Sequence, residues 1–418
     1  MRLRLVLLWL GATCSATSAA AGLGDLGTLA RTILGANQGV YVETADGSVL
    51  LSQAASLAVQ PASISKVPTT LALLRKLGPD YRFVTTFAAA GPVHGGTLDG
   101  DLVVDSGGDP YFLDENALLV AMRLNDAGVQ RVRGSVRIRG ELIFDWQSDD
   151  AAARLGQALA GATPPAAWVA VQSLAPAPVA PPTLRIDGAS NAGNAGGPNT
   201  TVGGDALPLV IHRSQTLLAM VKSLNDYSNN VFKPLADAAG GTPEVESLAR
   251  GAVPEEMRAE ITLADGAGTD ARNRLSPRVA VRLLRALEQE LVRNGHALVD
   301  ALPVAGIDAG TLRARLDGPG EAGHVVGKSG TFGDYGASAL IGAISTTDLG
   351  TVYFAILNHG VPVPQARARQ ERFLRALLGR LHSVPWNYQP DLRPAIARAQ
   401  ATLVAAPALA APPAPAAR

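Results

Sequence analysis

The stretch ASALIGAISTTDLGTVYFAIL, residues 337–357, decides the fold. Two apolar runs, Ala337–Ile344 and Thr351–Leu357, flank Asp348-Leu349-Gly350. Turn-forming residues between two runs of strand length predict an antiparallel hairpin. The same pattern stands near the other end of the chain, in Gln38–Gln53. There Val40 and Val42 alternate, Asp46-Gly47 makes the turn and Val49-Leu50-Leu51 returns. Gln365–Leu381 is amphipathic and is expected to pack on a sheet. A sheet that takes strands from both ends of the chain and carries helices on its faces is an α/β (α+β) arrangement, with a largely antiparallel sheet.

Between these ends, Pro61–Leu77 reads as a helix with Ser63 in its first turn, and Pro68 is tolerable so near the start. Helical patterning recurs at Ser214–Leu224, Ser228–Ala239 and Ser276–Glu290, the last with Ser276 as N-cap and Pro277 at the first position. From Phe83 to Asp205 the texture differs. Short apolar runs alternate with glycine turns, one helix spans Asn116–Ala127, and Ala162–Pro182 and Gly188–Gly204 have loop composition. The expected organisation is a catalytic domain from 22–82 and 206–388, a smaller β-rich accessory domain inserted at 83–205, and a disordered Ala/Pro-rich tail at 389–418.

Residues 1–21 read as a secretory signal peptide. Arg2 and Arg4 precede an apolar run from Leu5, and Ala19, Ala20 and Ala21 offer cleavage sites. The run is too short for a stable span, and no later segment is a membrane-spanning candidate. Cys14, the single cysteine, lies in this leader in a poor context for lipid attachment, so the expected mature chain has no disulfide. Export to the periplasm is the expectation. The 418 residues are 47% apolar and 17% charged, a globular composition. With 36 basic and 36 acidic residues, no charge surplus points to nucleic acid or an anionic membrane.

Chemistry enters through lysine. Only Lys66, Lys76, Lys222, Lys233 and Lys328 interrupt a basic complement otherwise made of arginine. Arginine keeps its proton, whereas a desolvated lysine can lose one and act as a base. Lys66 follows Ser63 by three positions, which puts amine and hydroxyl on one helical face. A serine hydroxyl needs such a base to become a nucleophile. Taken alone, this pair also describes a helix start with a surface lysine. Lys328-Ser329-Gly330-Thr331 precedes the Ala337 strand. Its glycine permits close approach of a ligand backbone, and its hydroxyls and charge suit a carboxylate. A polar loop entering a strand is the plainer alternative. Ser228-Asn229-Asn230 opens a helix, where simple capping would suffice.

Together, Ser-x-x-Lys, Ser-x-Asn and Lys-Ser/Thr-Gly in this order form the motif set of penicillin-binding proteins and class A β-lactamases. The chain resembles the penicillin-binding-protein-4 type, the class C low-molecular-mass D-alanyl-D-alanine carboxypeptidase/endopeptidases. The resemblance extends to Pro61-Ala62, Gly107-Gly108-Asp109-Pro110, Asp265-Gly266-Ala267-Gly268 with Asn273 and Ser276, Leu302–Gly306 and Gly310-Thr311-Leu312-Arg313, over about residues 35 to 385. It implies a β-lactamase/transpeptidase-like catalytic domain and serine acyl transfer on peptidoglycan stem peptides, with penicillins as inhibitors and no cofactor or metal. It further implies that Ser63 is the nucleophile and Lys66 its base. Backbone N–H groups of Ser63 and Thr331 would form the oxyanion hole, and Ser228 would relay a proton. Asn230 would hold the substrate amide, Lys328 would supply field, and Ser329, Gly330 and Thr331 would line the carboxylate end. Asn229, Ser329 and Ala267 depart from the usual Asp, Thr and Ser, and the insertion is shorter than in three-domain members.

Other readings are weaker. The six histidines show no zinc-ligand spacing. Asp109 and Asp265 read as turn residues, and Arg367, Arg369, Arg372 and Arg375 as the solvated face of the last helix. A β-lactamase would share the nucleophile, but no deacylating-glutamate motif is evident between Lys66 and Lys328. A non-catalytic wall-binding protein would not need the intact motifs.

Overall fold

The computed structural model describes residues 25–188, 206–227, 231–333 and 336–404. The expected signal peptide and Ser228-Asn229-Asn230 lie outside the described residues. Contacts divide the chain into two compact units: residues 1–68, 246–289 and 302–388, and residues 69–245, 290–301 and 389–418.

The first unit holds both expected hairpins in one sheet. We label its strands β1 (Gly39–Thr44), β2 (Val49–Gln53), β3 (Val325–Phe332), β4 (Ala337–Thr346), β5 (Thr351–Asn358) and β6 (Ser383–Val384). Their order is β3-β4-β5-β1-β2, every pairing is antiparallel, and β6 pairs with the end of β4. The β4–β5 turn closes where expected, with Gly350 at φ +65° and the Thr346 hydroxyl donating to the Gly350 carbonyl at 2.7 Å. Val40, Val42, Leu340, Phe354 and Ile356 share one sheet face. They pack against helices α1 (Leu26–Ile33) and α4 (Val363–Arg380) through Leu26, Ala30, Phe373, Leu374 and Leu377.

The opposite sheet face carries charge. Tyr41 donates to Glu43 at 2.9 Å, and the fully buried Glu43 pairs with Arg282 and Arg285. Both arginines belong to α3 (Pro277–Arg293), whose predicted Ser276 cap is present, with the Ser276 hydroxyl accepting from the Val279 N–H. Helix α4 is tied down by a buried polar chain. Asn358 Nδ2 donates to Gln38 Oε1 and Gln370 Nε2 to Asn358 Oδ1, both at 2.9 Å, and Arg315 donates to Gln370 and Glu371. Such groups must be satisfied once buried, so they fix the position of the helix on the sheet.

The second unit contains a five-stranded sheet in the order Gln400–Leu403, Leu207–Arg213, Val84–Ala90, Asp101–Asp105, Val136–Arg139, and a small four-stranded sheet of Val93–His94, Thr97–Leu98, Arg131–Val132 and Arg185–Ile186. Phe87, Leu102, Val104, Phe112, Val120 and Leu155 form its core, with helices Asp114–Asp126 and Ala151–Leu159. His212 is buried there against Asn116 at 2.9 Å, and burial pushes its pKa down to about 3. Three expectations fail in this unit. The Ala162–Pro182 stretch, expected to be loop, contains a helix, Pro165–Gln172, that buries Ala167 and Val171. Its small apolar side chains give a low-contrast helical face that composition alone disguises. The tail, expected to be disordered from residue 389, instead forms a short turn, Ala395–Arg398, and the edge strand Gln400–Leu403. The open edge of Leu207–Arg213 accepts that strand, and Ile396 is buried beside Leu118 and Leu119. The strand Leu207–Arg213, expected with the catalytic residues, pairs with Val84–Ala90 and belongs to this second unit. Among the described residues no helix is long and apolar enough to cross a membrane.

Candidate active site

Ser63 and Lys66 meet as their spacing requires. Residues Ala62–Ser65 form a 3-10 turn that leads into the helix α2 (Lys66–Leu77), so Ser63 sits one turn before the α-helix proper. Lys66 Nζ donates to Ser63 Oγ at 2.8 Å. Both side chains are buried, Lys66 completely. Burial pushes the Lys66 pKa down to about 8, against the charge of Asp265, which raises it. The amine is therefore far closer to its neutral, proton-accepting form at physiological pH than a surface lysine would be.

The backbone before Ser63 is strained. Ala62 sits at φ +50°, a left-handed conformation costly for a side chain with a Cβ. Local bonds hold it there. The Ala62 N–H donates to Gln60 Oε1 at 2.7 Å, and Gln60 Nε2 donates to the Asp270 carbonyl at 2.6 Å. Two glycines press on this backbone. A Cβ on Gly268, at φ +85°, would lie 1.8 Å from the Ala62 carbonyl oxygen. A Cβ on Gly330 would lie 2.6 Å from the Pro61 oxygen and 3.0 Å from the Ser63 nitrogen.

Gly268 is placed by Asp265, read from sequence as a turn residue. Asp265 Oδ1 accepts from the N–H groups of Gly268 at 2.6 Å and Ala267 at 3.2 Å, and from Asn273 Nδ2 at 3.1 Å. Burial works against its charged form, but these bonds and those from Thr269 prevail and hold the carboxyl below its usual range. The turn reading holds. What it missed is that the same carboxylate sets the field at Lys66, a coupling with no local signature.

Gly330 belongs to β3, which runs beside the 3-10 turn with Lys328 opposite Ile341 and Thr331 opposite Ser338 on β4. Lys328 is fully buried, and its Nζ donates to the Ser329 carbonyl at 3.0 Å. The Ser329 hydroxyl donates to Thr311 Oγ1 at 2.9 Å. Thr311, quoted above only for its neighbours, is thus part of the site's frame. The Thr331 hydroxyl accepts from Arg367 Nη2 at 2.7 Å. Arg367 was assigned to solvent from sequence. The structure keeps it exposed but directs its guanidinium onto the last residue of the motif. Five of the expected site residues, Ser63, Lys66, Lys328, Gly330 and Thr331, thus belong to one neighbourhood of the first unit, with Ser329 turned toward Thr311. Ser228 and Asn230 lie outside the described residues.

A buried Ser-Lys pair before a helix, flanked by a glycine-bearing strand, is an arrangement for serine acyl transfer. Residues 27–162 and 158–377 match the D-Ala-D-Ala carboxypeptidase 3 (S13) family. The chain is similar in fold to the Bd0816 predatory endopeptidase from Bdellovibrio bacteriovorus, solved in complex with the immunity protein Bd3460. Identity is 24%, coverage is 85% of this chain and 96% of that one, and the TM-score is 0.71. The penicillin G-acylated Bd3459 endopeptidase from the same organism is similar at 22% identity, with the same coverages of 85% and 96% and a TM-score of 0.72. Penicillin binding protein 4 from Haemophilus influenzae is 17% identical, with 86% of this chain and 100% of that one covered and a TM-score of 0.61. These likenesses establish a shared fold, and the family match spans most of the length: the chain belongs to the D-Ala-D-Ala carboxypeptidase 3 (S13) family of serine peptidases.

Proposed function

We propose that the chain is an exported, periplasmic D-alanyl-D-alanine carboxypeptidase/endopeptidase that cleaves peptidoglycan stem peptides through a Ser63 acyl-enzyme. The observation that carries this reading is the 2.8 Å contact between Lys66 Nζ and Ser63 Oγ, with the amine buried and its pKa lowered to about 8. In this reading Ser63 Oγ attacks the carbonyl before the terminal D-alanine and passes its proton to neutral Lys66. The N–H groups of Ser63 and Thr331 stabilise the oxyanion; one such donor is worth roughly 3–4 kcal/mol in the transition state. The closeness of Gly330 to the Ser63 nitrogen supports that pairing. The C–N bond then breaks, and the proton returns to the leaving amine through Ser228, while Asn230 holds the substrate amide. Water attacks the acyl-enzyme carbonyl and gives a proton to Lys66; the bond from the acyl carbon to Ser63 Oγ then breaks, and Lys66 returns the proton to Ser63 Oγ. Lys328 adds positive field behind the strand. Binding of penicillin belongs to the same reading, and the penicillin G-acylated form of the similar Bd3459 supports it. Family membership supports export, since the substrate lies outside the cytoplasm.

Covalent labelling with a fluorescent penicillin, alongside Ser63→Ala, tests the reading. A stable adduct on wild type and none on the variant is expected. Rapid turnover of the drug would favour a β-lactamase. A folded wild type that neither takes the label nor releases D-alanine from a stem peptide would refute enzymatic acyl transfer at Ser63.

A further inference from the structure

We propose that Gln60 is a positioning residue for the oxyanion hole: its carboxamide ties the backbone before Ser63 to the loop Asp265–Asn273 and so sets the direction of the Ser63 N–H. The proposal rests on the acyl-transfer reading above. Gln60 stands three residues before the nucleophile and is buried. Its Oε1 accepts from the Ala62 N–H at 2.7 Å, and its Nε2 donates to the Asp270 carbonyl at 2.6 Å. A backbone N–H can only donate and a backbone carbonyl can only accept, so the two partners fix which way round the amide stands.

The far end of this link is itself held. The Asp270 carbonyl also accepts from the Asn273 N–H at 3.1 Å, and Asn273 Nδ2 donates to Asp265 Oδ1 at 3.1 Å. The same Asp265 oxygen takes the Gly268 N–H, and Gly268 abuts the Ala62 carbonyl. The loop therefore grips Ala62 on both sides, through Gln60 at its N–H and through Gly268 at its carbonyl. The φ of Ala62 measures the rotation between the two peptide planes that meet there. Gln60 holds the Pro61–Ala62 plane, and Gly268 abuts the Ala62–Ser63 plane, which carries the Ser63 N–H. At φ +50° the two planes are held in a relation that the Ala62 Cβ disfavours. Without the Gln60 bond they can turn toward the favoured region, and the Ser63 N–H turns off its line.

An oxyanion forms twice in the reaction, when Ser63 attacks and when water attacks the acyl-enzyme. A misdirected Ser63 N–H slows both steps, whereas a misdirected Ser63 hydroxyl slows the first alone and a weakened base moves the pH profile. The test uses the full mature protein with a fluorescent penicillin. It follows the Kd of the non-covalent complex, the acylation rate with its pH midpoint, and the rate at which label is lost. Gln60→Met keeps the length of the side chain and makes neither bond. Gln60→Glu, when ionised, accepts from Ala62 but cannot donate to Asp270. For Gln60→Met, acylation and deacylation should both fall about 10- to 100-fold, the range for a misaligned or lost oxyanion donor, with Kd and pH midpoint unchanged. Gln60→Glu should lie between that variant and wild type. Wild-type rates in folded Gln60→Met overturn the proposal. A loss in acylation alone, or a moved midpoint, overturns it too, because the defect then lies at the Ser63 hydroxyl or at Lys66. If Gln60→Met does not fold, wild-type rates in Gln60→Glu overturn it. A wild type that takes no label refutes the acyl-transfer reading and this proposal with it, whereas a labelled wild type with unaltered variants refutes this proposal alone.

Discussion

Substituting Gly268 by alanine probes how the nucleophile is positioned without touching a reacting atom. The glycine lies at φ +85°, and an added Cβ would sit 1.8 Å from the Ala62 oxygen and 2.9 Å from the Ser63 nitrogen. Relieving the first overlap requires a displacement of more than an ångström, and Ala62, already at φ +50°, has little room to yield. The cost is shared between stability, about 1–3 kcal/mol for an overpacked site, and geometry at Ser63. A misplacement of about 1 Å in a reacting group typically lowers rate about 100-fold. Gly78→Ala supplies the control, since Gly78 has a similar φ of +84° with nothing within 4 Å of the added Cβ. We expect Gly268→Ala to fold with a lowered Tm and to acylate with fluorescent penicillin about 100-fold more slowly. The control should share part of the Tm loss and keep its acylation rate. A folded Gly268→Ala protein that acylates as fast as wild type would refute the claim that this loop fixes the Ser63 backbone.

Further outcomes follow from the same geometry. Acylation should rise with pH and reach half its plateau near the Lys66 pKa of about 8, because the neutral amine is the base; a rate that fell through that range would assign the proton acceptor elsewhere. Asp265→Asn removes the negative charge that raises the Lys66 pKa, so the midpoint of that profile should move to lower pH. A midpoint that stays put would separate Asp265 from Lys66. Truncation after Tyr388 removes the strand on the edge of Leu207–Arg213 and the buried Ile396, at a cost of about 1.5–3 kcal/mol for the side chain alone; thermal denaturation should show a lower Tm, and an unchanged Tm would contradict the pairing.

Features set by local spacing were legible in the sequence. Ser63 and Lys66 are one helical turn apart, so their contact follows from the chain's pitch. The two hairpins announced themselves through turn residues between strand-length runs, and the Ser276 cap through its proline neighbour. Features made by chain segments that meet only in three dimensions were not legible. Asp265 reads as a turn and is one, yet nothing nearby in sequence shows that Lys66 is its electrostatic neighbour. The need for Gly268 comes from the Ala62 carbonyl, far away along the chain. Arg367 lies in a helix that also carries Arg369, Arg372, Arg375 and Arg380, and only the fold singles out the one that reaches Thr331. The tail strand was missed because its order comes from an acceptor edge elsewhere, and its own sequence carries no apolar periodicity.

Strand β3 ends the sheet. Its first half is covered, since the Gly327 N–H donates to the Pro303 carbonyl and the Ala305 N–H to the Val325 carbonyl. The second half, Lys328 to Phe332, holds the motif, and no further strand of the sheet lies beyond it among the described residues. A margin of this kind is sticky. It can take up a short extended peptide as an extra strand, and it could equally pair with the same margin of another copy. Five residues at about 3.3 Å each leave only about 16 Å for either event. That is room for a short extended peptide. An exposed guanidinium, Arg367, stands at this rim, bonded to Thr331.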